Sequence, residues 1–263
     1  MTTTNAVMLD PVLRVEADFA NQDYAPYADR LEINLNMFRR YVMPMDLSDW
    51  RQMSALLLGD VKGKALLDYG CGMGEESIYF AKLGAKVTGV DISEIGIESL
   101  RRRAAYHHLS VTALEMRADP TEFASESFEL IHGLGILHHL GIDRGLAEVH
   151  RLLRPGGVAV FLEPMGDSPV AEAAKAWLMR HARFLGKFDE VTDHERNLTW
   201  REIETATRQF SATQVYPYHL LYRLKRFLPI AWLPTIRRID HAALTVAPPL
   251  RRYAGGVAIR VVK

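Results

Sequence analysis

The run KALLDYGCGMGEESIYFAKLGAKVTGVD, residues 64–91, constrains what this chain can fold into more than any other stretch. Residues 65–68 are a short apolar stretch closing on the carboxylate of Asp68, the pattern of a buried strand in a parallel sheet. Gly70, Gly72 and Gly74 follow at alternate positions. They let the backbone turn sharply and let a ligand approach where a Cβ would intrude. The spacing then predicts a helix over 75–83, closed by Gly84, and a second strand over 86–90 that ends on Asp91. Strand, glycine turn, helix, strand and acid make a nucleotide-binding βαβ unit, with Asp91 placed to accept hydrogen bonds from ribose hydroxyls.

The residues after the turn narrow the nucleotide. The dinucleotide fingerprint G-x-G-x-x-G wants a third glycine where this chain has Glu75, and Glu76 stands beside it. Two carboxylates in the first turn of a helix repel a pyrophosphate, tolerate a ligand without phosphate and favour a cationic one. S-adenosylmethionine fits, being an adenosine with a sulfonium and an amino-acid tail. Four segments then occur in order: LLDYGCGMG, VTGVDIS, FELIHGLGILHHL and RLLRPGGVAVFLEP. Together, over residues 61–164, they resemble the successive motifs of the class I S-adenosylmethionine-dependent methyltransferases. The resemblance implies an α/β fold, a doubly wound, mostly parallel seven-stranded Rossmann-like sheet. It implies S-adenosylmethionine as cofactor, held by Asp68, Gly70, Cys71, Gly72, Gly74, Asp91 and Ile92. It further implies that Asp119, flanked by Ala118 and Pro120, receives the adenine amino group, a bond a carboxylate can accept. Gly133 and Leu134 would sit beside the methyl-transfer site.

Four regions organise the chain in this reading. Residues 1–60 are an N-terminal arm and helical lid, 61–164 the cofactor core, and 165–210 a helical insertion on the acceptor side. Residues 211–263 supply the last two strands and complete the core. Residues 1–22 show no sustained period and read as a loose arm. Leu31, Leu35, Phe38 and Val42 form a helical stripe within 24–42, and 47–58 reads as a second helix. As parts of a lid, Tyr24, Tyr27, Arg39 and Arg40 are candidates to touch the ligand. Ser93 caps a helix over 93–107, and strands are expected at 111–116, 128–132 and 158–162, with RPGG turning into the last of these. Further helices are expected at 144–153, 170–185 and 200–209, and strands at 212–216 and 256–262.

Charge is balanced overall, 32 basic residues against 32 acidic, so nothing points to nucleic acid. It is not evenly spread: residues 217–263 hold nine basic residues and one acid, Asp240. Within 219–240, Leu220, Leu221, Leu224, Phe227 and Leu228 make an apolar face opposite Arg223, Lys225 and Arg226, broken by Pro229 and Pro234. One reading packs this face on the chain's own lid and leaves the arginines in water. The other has it receive a small acceptor, lipophilic or acidic, with Arg223 at the rim of its cavity, or rest on an anionic membrane surface, and the prolines favour a pocket wall over a membrane anchor. No apolar run approaches the ~18 residues of a membrane span, and the first residues lack the pattern of a secretory signal, so a cytoplasmic location is expected. The single cysteine, Cys71, reads as a small residue in a tight turn. No set of histidines and cysteines has the spacing of a metal site, and none is expected.

Methyl transfer from a sulfonium is an in-line displacement, in which the protein holds donor and acceptor at near-attack distance and, where needed, removes a proton. His138 and His139 follow the fourth strand and are the candidate bases, with His139 preferred; the other reading makes them structural. Glu163, at the end of the fifth strand, is a candidate to orient the acceptor. The reaction expected is methylation of a small molecule, at oxygen. Two other functions stay open: the same fold and cofactor with different chemistry, such as cyclisation, and a non-catalytic ligand-binding protein.

Overall fold

The computed structural model describes residues 11–33, 50–166, 197–222 and 229–263. Seven apolar segments form strands: β1 (Ala65–Tyr69), β2 (Lys86–Asp91), β3 (Val111–Glu115), β4 (Phe128–Leu134), β5 (Leu153–Pro164), β6 (Ala212–Tyr218) and β7 (Gly256–Val262). They lie in one sheet in the order β3-β2-β1-β4-β5-β7-β6. All neighbours run parallel except β7, which is antiparallel to both β5 and β6. The chain goes outward from β1 to β3 and returns to β4 on the other side of β1. The carboxyl ends of β1 and β4 therefore flank a topological switch point, where open α/β sheets hold ligands.

The central strands β1, β4 and β7 are buried because helices cover both faces, which is why they read as continuous apolar runs, while the edge strands β3 and β6 are more exposed. Among the described residues the helices are α1 (Pro11–Tyr24), α2 (Trp50–Leu58), α3 (Glu75–Lys82), α4 (Glu94–Tyr106), α5 (Leu137–Leu140), α6 (Ile142–Leu152), α7 (Trp200–Ala206) and α8 (Leu233–Val246). Their starts follow capping chemistry. Ser93 Oγ accepts from the Gly96 N–H at the head of α4. Thr199 and Glu202 form a reciprocal capping box on α7. Gly74 caps α3 with φ +80°, and a Cβ there would lie 2.4 Å from Leu100 of α4, so glycine is required twice over.

Several expectations need correcting. Residues 11–22 are not a loose arm but most of helix α1, which buries Ala17. Asn21 of this helix accepts from Ser93 Oγ (2.6 Å) and from the Ile95 N–H (3.3 Å), tying it to the head of α4. The helix expected over 24–42 does not start at Tyr24; α1 ends there, a single tight turn follows through Pro26, and 28–33 are irregular. Proline contributes no N–H to a helix ladder, which accounts for the break. The RPGG turn is an outward loop within β5. Pairing with β4 jumps from Phe128↔Leu153 to Leu130↔Val158, so residues 154–157 are extruded, with Gly156 at φ +75°. The segment 219–240 is not one amphipathic stretch: Asp240, on α8, is buried and accepts the N–H groups of Leu220, Leu221 and Tyr222 at 2.7–2.9 Å. The expected helix at 170–185, the stripe from Leu35 to Val42, and Leu224, Phe227 and Leu228 lie outside the described residues.

One buried charge cluster fixes the loop beyond β3. Glu148 of α6 accepts from the N–H and Oγ1 of Thr121 (2.9 and 2.6 Å) and pairs with Arg151 at 2.6 Å. Burial alone would raise the Glu148 carboxyl, but the bonds from Arg151 and Thr121 outweigh it and hold it below its ordinary value. Its stabilising share is therefore complete above the unfolded glutamate pKa and is lost as pH falls through the lower folded value. Replacing Glu148 by alanine leaves the Thr121 donors and Arg151 without their acceptor. The loss expected is about 3 kcal/mol, the low end for breaking a buried pair. Urea titration at neutral and acidic pH checks this: the difference from wild type should shrink in acid, and a variant as stable as wild type at neutral pH contradicts it.

Candidate active site

A cavity of about 290 Å³ opens at the switch point, between the carboxyl ends of β1, β2 and β4 and helix α1. Its wall on the β2 side is built by Asp91. One carboxylate oxygen accepts from the Gly72 N–H at 2.8 Å and the other from the Ser93 N–H at 2.9 Å. Burial pushes the Asp91 carboxyl up, and these N–H groups work against that. The glycine turn passes beneath Tyr24, the last residue of α1. A Cβ on Gly72 would stand 3.0 Å from the Tyr24 hydroxyl, and one on Gly96 would stand 3.2 Å from its ring. The Tyr24 phenol is pushed up, first by burial and then by the Asp91 carboxylate, so it remains a neutral donor.

On the β3 side, Tyr69 donates its hydroxyl to the Ala118 carbonyl and so fixes the wall that ends in Asp119. Arg117 donates to the Asp119 carbonyl at 2.7 and 3.0 Å, while the Asp119 carboxylate, 3.6 Å from Arg144, faces the cavity. Among the described residues, Glu16, Asp23, Asp91 and Asp119 line the cavity against one arginine, Arg117. Such a wall favours a positively charged ligand. Glu75 and Glu76 do not line it. Buried Arg103 stands beside both and donates to the Met73 carbonyl at 2.9 Å, so the pair is partly neutralised.

At the other end stand Leu134, Ile136, His139 and Leu140. Glu163 is buried and accepts the N–H groups of Ile136, Leu137 and His138 at 3.0, 2.9 and 3.4 Å, donors that the start of α5 leaves unpaired. It also meets His138 Nδ1 at 2.8 Å. A carboxylate can only accept, so this nitrogen carries the proton. The His138 and His139 rings lie 4.1 Å apart between centroids, and His139 is the one that reaches the cavity.

Of the residues read from sequence, Tyr24, Gly70, Asp91, Ile92, Ala118, Asp119, Leu134 and His139 meet in this one cavity. Others stand behind the lining. Asp68 is buried and accepts from Ser77 Oγ at 2.6 Å, beside His132 Nδ1 at 3.1 Å. Gly72, Cys71 and Gly74 shape the turn, burial pushing the Cys71 thiol well up. Gly133 has no room for a Cβ, which would lie 2.6 Å from Phe161, and Pro120 follows Asp119 on the exposed side. Glu163 does not reach an acceptor, because its oxygens are taken by α5 and His138. Tyr27 is exposed, with Arg30 over its ring at 4.7 Å, and is not part of the lining. Arg39, Arg40 and Arg223 lie outside the described residues. Leu13, Glu16, Phe19, Ala20 and Asp23 of α1 line the cavity without having been foreseen. The pair Asp10-Pro11, a cap residue before a proline, is the start signal that marks this helix.

A Rossmann-like seven-stranded sheet with a glycine turn, Asp91 and an acid-lined cavity defines a class I S-adenosylmethionine-dependent methyltransferase fold. Residues 66–157 match the family model described as a methyltransferase domain. Over this region the chain is similar to the class I S-adenosylmethionine-dependent methyltransferases, whose cofactor is S-adenosylmethionine. It is 31% identical over 145 residues to a ubiquinone biosynthesis O-methyltransferase of Mesorhizobium japonicum, covering 52% of this chain and 58% of that one. It is 33% identical over 143 residues to an S-adenosyl-L-methionine-dependent Diels-Alderase of Talaromyces variabilis, covering 50% of this chain and 47% of the relative. The chain thus spans about half the length of these relatives. A geranyl diphosphate methyltransferase structure superposes with a TM-score of 0.57 at 18% identity over 90% of each chain, a likeness of fold.

The residues present fit the cofactor: Gly72 puts no side chain in the turn beneath Tyr24, and the carboxylates of Glu16, Asp23, Asp91 and Asp119 line a cavity suited to a positively charged ligand. Asp91→Ala should weaken S-adenosylmethionine binding by about 1.5–3 kcal/mol, the range for a hydrogen bond to a charged group. Calorimetry on the folded variant checks this, and unchanged affinity would show that the ligand does not rest on Asp91.

Proposed function

We propose that this protein methylates a small molecule at oxygen, with His139 taking the acceptor's proton. The observation that carries the reading is the presence of His139 in the same cavity as Asp91 and Asp119. The O-methyltransferase relative supports an oxygen acceptor, since that activity is in its name.

When bound, S-adenosylmethionine supplies a methyl group already activated on sulfur. The chain's own residues do the rest. Asp91 and Asp119 orient the adenosine by accepting from its hydroxyls and amine. Tyr24 closes α1 over the glycine turn and excludes water from that end. At the other end, Leu134, Ile136 and Leu140 receive an apolar acceptor. His139 removes the hydroxyl proton as the oxygen becomes nucleophilic, a role suited to imidazole near neutral pH. His138, held by Glu163, packs against the His139 ring and limits its rotation. Glu163 and His138 are positioning residues in this scheme.

A second reading keeps the ligand and changes the chemistry. The Diels-Alderase relative favours it, because this cavity would equally hold a folded apolar substrate. Methyl-labelled S-adenosylmethionine with a panel of phenols and quinols separates the two: label in the acceptor supports transfer, and conversion of an acceptor without label supports cyclisation.

The base has its own test. His139→Ala should lower turnover roughly 10²–10⁴-fold with cofactor affinity unchanged. His138→Ala and Glu163→Gln should lower kcat less and leave KM near wild type, since neither group touches the acceptor. A His139→Ala enzyme with normal turnover would mean that the acceptor reacts without a base.

A further inference from the structure

The last fifth of the chain presents a surface the reaction does not use. Trp232, just before α8, and Ile239 and Val246 on it are exposed by 61, 49 and 80%, and Ile230 by 85%. The spacing of seven residues puts Trp232, Ile239 and Val246 on one line of the helix. The opposite face is occupied, with Asp240 and Leu244 buried. Large apolar side chains grouped on an outer face mark an interaction surface.

Charge identifies what the surface meets. Residues 217–263 contain nine basic residues, and their one acid, Asp240, is 3% exposed and bonded to three backbone N–H groups. This segment therefore offers no side-chain carboxylate to solvent, while Arg238 on α8 is exposed, as are Arg251 and Arg252 in the turn that follows it, with Arg251 also donating to the Leu244 carbonyl at 3.0 Å. A second copy pairing through this face would bring arginines together, which disfavours self-association. A nucleic acid would use the arginines but leave isoleucine, valine and tryptophan without a partner. A bilayer of anionic lipid satisfies both sets. Its phosphates take the guanidinium groups, and tryptophan and aliphatic side chains enter the headgroup boundary. No described helix is long and apolar enough to cross a membrane.

Topology adds a reason for the position. β6 is antiparallel to β7 and so runs in the direction of β5. Its end at Tyr218, paired with Gly256, lies at the sheet edge where β1, β2 and β4 deliver the active-site residues. The segment carrying the apolar line starts from that edge.

We infer that the α8 face docks the protein on an anionic membrane surface, beside the sheet edge that, on the function proposed above, an apolar acceptor would approach. The full chain should co-sediment with vesicles of mixed phosphatidylcholine and phosphatidylglycerol at low salt. It should bind pure phosphatidylcholine vesicles weakly, and high salt should release it from the anionic ones. Trp232→Ser combined with Ile239→Ser should lower the partition coefficient roughly tenfold or more. Arg238→Glu with Arg252→Glu should do the same on anionic vesicles and make no difference on neutral ones. These side chains are exposed, so melting temperatures should match wild type. Absence of binding to anionic vesicles at low salt overturns the inference, as does binding that both double variants retain. A concentration-dependent dimer abolished by Trp232→Ser and Ile239→Ser would assign the face to a second copy, and binding of RNA in place of vesicles would assign it to nucleic acid.

Discussion

The two hydrogen bonds that Asp91 accepts, from the glycine turn and from the head of α4, hold the ligand-binding half of this molecule in register. The glycine turn and the head of α4 meet on one carboxylate at the end of β2, and α1 joins them through Ser93. Gly72 reaches it because no side chain intervenes, and Ser93 reaches it while capping α4 and holding Asn21 of α1. The helix that covers the cavity is thus tied, through Ser93, to the same short segment that carries Asp91. Burial makes a carboxylate here costly, and the N–H donors offset part of that cost.

A second carboxylate organises the opposite end in the same way. Glu163 collects three backbone N–H groups at the start of α5 and orients His138. Asp240 repeats the device at residues 220–222. In each case a buried acid satisfies donors that a chain turn leaves without partners. The sheet gives the site its frame, and these three acids fix the loops at its carboxyl edge.

The sheet was legible because buried parallel strands are short apolar runs, and most of these runs are marked at one end by a glycine, a proline or an acid. β7 matches its expected range residue for residue, and the Thr199 cap is where the sequence puts it. Helix α1 was not legible: its buried face is small, with Ala17 at its centre, among charged and amide residues. That Tyr24 covers the turn while Tyr27 faces solvent depends on the break at Pro26, which periodicity does not resolve. The roles of Glu163 and Asp240 were hidden for a deeper reason. Their partners are backbone N–H groups, which every residue but proline carries and which leave no mark in a sequence.

By its carboxylates and by a turn without the third glycine, this cavity should select a cationic adenosyl ligand over a dinucleotide. Calorimetric titration of the same protein with S-adenosylmethionine and with NADH tests it directly. Saturable one-to-one binding of S-adenosylmethionine is expected, with no measurable heat from NADH. Tight NADH binding, with S-adenosylmethionine failing to compete, would contradict it.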